Sequence, residues 1–476
     1  MTETTPSQPS TAAAARLQNL LHGRIVPLIA RLSAPNIAVV SAMTVVTIAD
    51  AWFVSRIGVT ALASLALVFP VQALMQMMSA GAMGGGVSSA VARALGAGKP
   101  ERADAVVVHA VIIALAMAGI YVLFGAVLAW PLFALAGGSG AVLVGAVAYG
   151  QIAFGGAAAI WLVNTFASVL RGTGNMAFPA VVLVTLSAFQ MLLSGAFTLG
   201  WGPFPPLGLR GPALALVTTF GLATLVMAGQ VASGRGGVRL RLTGAALRWE
   251  LFRDIIKVGG VACGNALLTI ATVVVVTRLV ARHGPAALAG YGLGSRLELM
   301  MVPLAFGIGG ALTVAVGTNF GAGQYARARS IAWSGGLAVA FATGLVGIAV
   351  AAWPALWLSH FTDNAEAYGF GARYLVVAAP FYGFFGVGMA LYFASQGTGN
   401  MAWPFTAGVV RLVVAAGGGA VATLWLGWGT TALFALVAAG MFSFGALLLA
   451  SLFSRVWNPE APVVKRARGS SISKDR

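Results

Sequence analysis

The chain has 476 residues and a formal net charge of +17, yet only 8% of its residues are charged, and its mean hydropathy is +0.91. A water-soluble globule carries about 25% charged residues, so that class is excluded. The single cysteine, Cys263, excludes an internal disulfide and a cysteine-based metal site.

Residues 1–24 are rich in Thr, Ser, Pro and Ala and carry no secretory-signal pattern; they read as a cytoplasmic tail. Twelve apolar runs follow, each long enough for the roughly 20 residues that a membrane-spanning helix needs. They lie near 33–56, 60–92, 103–133, 141–170, 176–200, 210–232, 250–281, 286–316, 328–358, 367–395, 401–427 and 430–454. Alternating strands of the kind that build a membrane barrel are not seen. The expected fold is an all-α integral membrane protein of twelve transmembrane helices. A polar, Gly-rich and basic stretch at 233–249 separates residues 25–232 from 250–456, and 457–476 form a basic tail.

The two halves repeat one another. Arg171-Gly172-Thr173-Gly174-Asn175-Met176-Ala177 recurs as Gln396-Gly397-Thr398-Gly399-Asn400-Met401-Ala402, 225 positions later. Gly96-Ala97-Gly98 recurs as Gly321-Ala322-Gly323 at the same offset. Six spans per half is an even number, so both halves enter the membrane from the same side as parallel repeats. Gly172 and Gly174 are expected to end span 4 at positive φ, with Asn175 capping span 5. Gly290, Gly292 and Gly294 lie inside a span and read as close helix packing rather than a nucleotide loop.

Most of the 28 Lys and Arg residues fall on one side of this topology, among them Arg93, Lys99, Arg102, Arg235, Arg239, Arg241, Arg248, Arg253, Lys257, Arg327 and Arg329. That is the positive-inside bias; it places both termini in the cytoplasm and argues against nucleic acid as the partner. The chain's partners are expected to be the lipid bilayer and small molecules, with the protein acting as a monomer.

Of eleven acidic residues, two fall within spans: Asp50 in span 1 and Glu298 in span 8. An intramembrane carboxylate is expensive and marks a functional site by default. Asp50, with Thr47 one turn before it, has no basic residue in the membrane core of its own half. It reads as a group that binds and releases protons. Asn164, Gln190 and Ser194, the other polar groups of this half's core, are grouped with Asp50 as the candidate cation-coupling site; they have no polar counterparts in the second half, and each also fits ordinary interhelical hydrogen bonding. Thr47, Gln72 and Gln76 are expected to line a substrate cleft, together with Met75, Met77, Met78, Met300 and Met301, and spans 1, 2, 7 and 8 to form its walls. In the second half, Arg296, Glu298 and Arg411 form a polar cluster, with Arg373 nearer the centre of span 10. An ion pair there reads as structural, or as a switch between conformations. No His/Cys metal spacing, catalytic constellation or phosphate loop is present, so no cofactor and no enzyme activity are expected, and an ion gradient must supply the energy.

Ile48-Ala49-Asp50-Ala51-Trp52-Phe53-Val54-Ser55-Arg56 in span 1, the paired Gly-Ala-Gly and Gly-Thr-Gly-Asn loops, and Arg296-Leu297-Glu298 in span 8 together resemble the MATE family, the multidrug and toxic compound extrusion transporters. The resemblance covers residues 25–455. It implies two six-helix lobes around a V-shaped cleft and alternating access. It also implies export of cationic, lipophilic compounds against inward H⁺ or Na⁺, with Asp50 on the family's span 1 carboxylate. Many members carry in span 5 an Asn and, one turn later, an Asp; here those positions look like Gln190 and Ser194. The lost carboxylate weakens Na⁺ coordination more than proton binding, since a hard cation takes several oxygen ligands.

The sequence therefore reads as a proton-coupled antiporter in a bacterial inner membrane. The alternatives are a flippase for lipid-linked sugars or other amphiphilic metabolites, and a non-transport membrane subunit. The flippase favours a strongly cationic cavity, whereas the first half's membrane core reads as holding an Asp and no Arg.

Overall fold

The computed structural model describes residues 11–240 and 246–458; Arg241 and the basic tail beyond residue 458 lie outside them. The described residues form helices and turns with no strand. Eleven helices are long and apolar enough to cross a membrane: Ile25–Ser55, Val59–Gly96, Pro100–Leu135, Ala177–Leu199, Arg210–Ala232, Trp249–Ala281, Pro285–Gly321, Tyr325–Ala352, Ala365–Thr398, Ala402–Leu424 and Thr430–Ser451. Gly140–Gly155 and Ala157–Gly172 add a pair bent by 46° that together makes span 4. Numbered in chain order these are spans 1–12, and they match the apolar runs of the sequence. Side chains such as Val26 and Phe341 project outward at 70% and 73% exposure, as lipid-facing helix surfaces do.

Spans 2 and 8 run to 38 and 37 residues, well beyond the hydrocarbon minimum. Each ends at its Gly-Ala-Gly loop, and the two ends are built alike. Gly98 sits at φ 68° and Gly323 at φ 74°. Lys99 N–H donates to the Ala94 carbonyl at 2.9 Å, and Gln324 N–H to the Asn319 carbonyl at 2.8 Å. This six-to-one bond over a left-handed glycine closes a helix C-terminus. The Gly-Thr-Gly loops also match: Gly174 and Gly399 take φ 77° and 80°. Gly172 does not take the positive φ expected of it. It serves close packing instead: a Cβ there would press on the Ser88 carbonyl and Val91, as one at Gly397 would press on the Thr313 carbonyl and Val316. Asn175 caps span 5 as expected, its side chain accepting from Phe178 N–H at 3.2 Å.

The repeat also governs the seam between lobes. On the face that carries these loops and the inter-lobe linker, a Cβ on Gly96 would collide with the Thr318 carbonyl, and one on Gly321 with the Arg93 carbonyl. Thr318 is the repeat counterpart of Arg93, so the two contacts are one contact made twice. Reciprocal pairs of this kind are what a two-fold axis produces. Both lie on one face, so the axis runs along the membrane normal, and the repeats are parallel. Arg93 closes the same seam electrostatically, with Nη2 at 2.7 Å from Asp254 Oδ1 in span 7, and Arg102 reaches the other oxygen at 3.6 Å. Ser89 donates to the Gln396 carbonyl from span 2 to span 10. Two of the three helical glycines of span 8 pack as expected, Gly290 against the backbone of Ala367 and Gly371, and Gly294 against the Tyr374 ring, whereas Gly292 faces open space and serves no close packing.

Candidate functional site

A cavity of about 370 Å³ lies between the lobes. Span 1 presents Asn36, Val39, Val40, Met43, Val46, Thr47 and Asp50 to it, a stripe at helical spacing. Fourteen residues separate Asn36 from Asp50, which is about 21 Å along the helix. Spans 2, 4, 5 and 6 complete one wall, and Val302, Phe306, Gly310, Phe393 and Gln396 from spans 8 and 10 form the other. No residue of span 7 lines it, contrary to expectation; that helix packs on span 2, where a Cβ on Gly259 would meet Met83.

Asp50 lies on this wall and accepts a hydrogen bond from the Ser194 hydroxyl. Among the described residues no Lys, Arg or His pairs with it. Gln72 accepts from the Tyr149 hydroxyl at 3.1 Å. Asn164 donates to Gln76 at 3.1 Å and to Ser79 at 2.9 Å. Ser79 belongs to the π-helical turn Met77–Met83, a distortion frequent at functional positions. Gln190 lines the same cavity and is 5% exposed. Of the four polar residues grouped from the sequence, Ser194 therefore touches Asp50, while Asn164 bonds elsewhere and Gln190 shares only the cavity. Thr47 faces the cavity with its hydroxyl tied to the Met43 carbonyl at 3.0 Å.

Phe69, Phe220, Phe306 and Phe393 line the cavity with Met43 and Met77, so it is largely apolar and aromatic with a few polar groups, as small-molecule sites are. Met75, Met78, Met300 and Met301 do not line it. Met75 is fully buried and Met300 is 56% exposed, whereas Met301 packs on the core. Helix phase explains this: Gln72, Gln76 and Met77 share the inward face of span 2, and Met75 points away from it.

Arg171 was legible only as the last residue before a Gly-Thr-Gly loop. The structure brings it to the cavity, together with Asn36, Ser88 and Gln396. The cavity thus carries an arginine from the end of span 4 that the sequence did not point to. Span 4 ends against the long span 2, so its last turn stays inside the protein rather than at the surface.

The second lobe holds its own buried cluster. Glu298 Oε1 meets Arg411 Nη2 at 3.3 Å, with the two side chains only 12% and 9% exposed. Its other oxygen accepts from the Tyr374 hydroxyl at 2.7 Å. The Arg411 guanidinium lies 4.8 Å from the Phe385 ring centroid, and Tyr291 stands edge-on to Tyr374 at 5.2 Å. Arg296 takes no part. It is exposed, because residues two apart on a helix point to different sides. Arg373 is exposed too and lies over Phe370 at 5.6 Å. Tyr149 and Tyr374, which hold Gln72 and Glu298, carry no sequence signal that separates them from other span tyrosines.

Comparison with known proteins agrees with this architecture. The MatE family model matches residues 35–194 and 261–421, once in each half. A FAD transporter of Shewanella oneidensis is 26% identical over 314 residues, covering 65% of this chain and 68% of that protein. The probable multidrug resistance protein YoeA of Bacillus subtilis is 23% identical over 351 residues, covering 73% of this chain and 76% of that protein. Among solved structures, a MATE protein in complex with MaD3S superposes with a TM-score of 0.84 at 22% identity, over 94% of this chain and 99% of the other. A MOP superfamily transporter from Pyrococcus furiosus, whose structure is described as having a binding pocket of reverse polarity, gives 0.83 at 22% identity, over 94% of this chain and 98% of that one. With the family's pattern present in both halves and the helical two-lobe fold around a shared cavity, the chain belongs to the MatE family and is a secondary membrane transporter, not an enzyme.

Proposed function

We propose that this protein exports small lipophilic compounds, including cationic ones, by proton-coupled alternating access, with Asp50 as the coupling carboxylate. The observation that carries the reading is the environment of Asp50: a carboxylate on the cavity wall, bonded to the Ser194 hydroxyl and without a basic partner among the described residues. Such a group exchanges a proton with the cavity, and a cationic substrate competes with that proton for it. Proton binding changes the Asp50–Ser194 bond, and with it how span 1 packs on span 5. Sodium fits less well, since a hard cation takes six or more oxygens and the neighbour bonded to Asp50 is a single hydroxyl.

The conformation supports alternating access. The lobes are joined on the linker face by Arg93–Asp254 and by the reciprocal glycine contacts. The linker face carries the concentration of Lys and Arg, which supports a cytoplasmic linker face and cytoplasmic termini in a bacterial inner membrane. The seam is then the inner gate, closed while the cavity faces outward. A cavity of about 370 Å³ suits a drug-sized molecule rather than a lipid-linked oligosaccharide, which favours export of small compounds over the flippase alternative. The relatives' names include both drugs and FAD, so the cavity itself must be read for substrate class. The protein reconstituted as a monomer in proteoliposomes, given pH and Na⁺ gradients separately, tests the coupling. Export should follow the pH gradient with Na⁺ absent; strict dependence on Na⁺ at constant proton-motive force would refute it.

A further inference from the structure

We propose that the deep end of the cavity is an oxyanion subsite, in which Arg171 binds the phosphate or carboxylate group of an aromatic substrate. The inference rests on the reading that this cavity is the substrate path.

Arg93, Arg171 and Arg411 are partly or fully buried near the lobe junction or in a lobe core, and they differ in one respect. Arg93 has Asp254 at 2.7 Å and Arg411 has Glu298 at 3.3 Å. Arg171 has only the Ser168 hydroxyl, at 2.7 Å; among the described residues no carboxylate lies within ion-pairing distance of it. A guanidinium offers five N–H donors, and a charge withdrawn from water without a counter-charge is costly. The open side of Arg171 faces the cavity, so an anion arriving there completes a pair that the protein leaves unmade.

The neighbours fit the same chemistry. Asn36 shares this end of the cavity, and its amide N–H is weakly committed, to the Gly307 carbonyl at 3.4 Å and the Met176 sulfur at 3.9 Å. Gly310 keeps the space beside that amide open, since a Cβ there would sit 2.9 Å from it. The opposing charge of Asp50 is remote. Arg171 lies seven residues, about 10 Å, beyond Asn164 on span 4, and Asp50 about 21 Å from Asn36 on span 1. Between the two charges the wall is aromatic, with Phe220, Phe306 and Phe393. A substrate that uses the whole cavity is thus an elongated aromatic body with its oxyanion toward the linker face.

The repeat supplies a control. Gln396 holds the position of Arg171 in the second lobe, so glutamine fits this helix end, and Arg171→Gln removes the charge alone. A purely structural Arg171, stabilising the C-terminal dipole of span 4, would give no preference among ligands.

The test uses the full chain in detergent and four probes on one ring: 1-naphthol, 1-naphthyl phosphate, 1-naphthoate and naphthylmethylammonium, with binding read by calorimetry. The oxyanion probes should bind about tenfold or more tightly than naphthol, the gain expected of a charge-assisted pair. In Arg171→Gln the ratio should fall toward one, and in Arg171→Lys, which keeps the charge but loses the fork, to an intermediate value. A preference for phosphate alone, or carboxylate alone, identifies the group taken. Equal binding of naphthol and both oxyanions by the unaltered protein, or a preference that survives Arg171→Gln, would overturn the subsite. If no probe binds, naphthol included, or if naphthol binds and Phe306→Ala leaves its affinity unchanged, the cavity reading itself fails.

Discussion

Arg93 in the first lobe grips Asp254 in the second at 2.7 Å, directly beside the point where Gly321 meets the Arg93 backbone. The ion pair and the close backbone approach fasten one seam. Opening the cavity to the linker face requires both to separate. In Asp254→Asn the ion pair becomes a bond from a charged donor to a neutral acceptor, a loss of about 1–2 kcal/mol, enough to raise the open population about tenfold. In a Cys263→Ala background, which removes the protein's single cysteine, a reporter cysteine at Ser88 on the cavity wall reads that population. Labelling by an impermeant thiol reagent from the linker face should accelerate about tenfold; an unchanged rate would show that the pair does not hold the gate.

The reciprocal glycines predict a symmetric steric effect. Gly96→Val and Gly321→Val each place a side chain against the other lobe's backbone, where nothing flexible can yield. Each should leave its own lobe folded, block closure of the linker-face seam and abolish transport to a similar degree. A pair of variants of which one transports normally would contradict the two-fold reading of the seam.

The second-lobe cluster predicts a stability effect. Glu298→Ala leaves Arg411 buried without its counter-charge and should cost about 3–5 kcal/mol, seen as a fall in thermal midpoint and in yield of folded protein. Tyr374→Phe removes one hydrogen bond to a charged group and should cost about 1.5–3 kcal/mol. If Glu298→Ala melts like the unaltered protein and instead changes which compounds are exported, Glu298 is a substrate ligand.

Ser194 predicts a change of coupling ion. Ser194→Asp puts a second carboxylate where the Ser194 hydroxyl now meets Asp50, adding oxygen ligands of the kind a hard cation requires. Transport should then become stimulated by Na⁺. A variant that transports well and stays indifferent to Na⁺ would show that coordination around Asp50 is not what sets ion choice.

The parts of this account that depend on one residue's own chemistry were legible in the sequence. Long apolar runs mark the spans because lipid leaves helices as the solution for an unbroken apolar run, and Asp50 and Glu298 stand out because a carboxylate in such a run is rare. The repeat is legible because Gly98 and Gly323 are held to glycine by the same left-handed cap. What the sequence hid depends on which way a side chain points. Arg296 and Glu298 are two residues apart and diverge. Met75 and Gln76 are adjacent, and only Gln76 reaches the cavity. Ser194 resembled any serine in a span, where the hydroxyl usually turns back to its own helix; its bond to Asp50 depends on how span 5 packs on span 1. Arg171 resembled a surface cation, because the sequence alone does not show that the end of span 4 lies inside the protein.

The central claim is that Asp50 carries the coupling proton. Asp50→Asn keeps the shape and the hydrogen bond to Ser194 but cannot titrate. It should reach the membrane folded, since it removes a charge from lipid depth, and should still bind substrate through the cavity walls. The direct measurement is export from proteoliposomes after a pH jump, made alongside substrate binding on the same preparation. The account predicts binding retained, with pH-driven export lost in Asp50→Asn and only weakened in Asn164→Ala or Gln190→Ala; full proton-driven export by Asp50→Asn would contradict it and place the coupling group elsewhere.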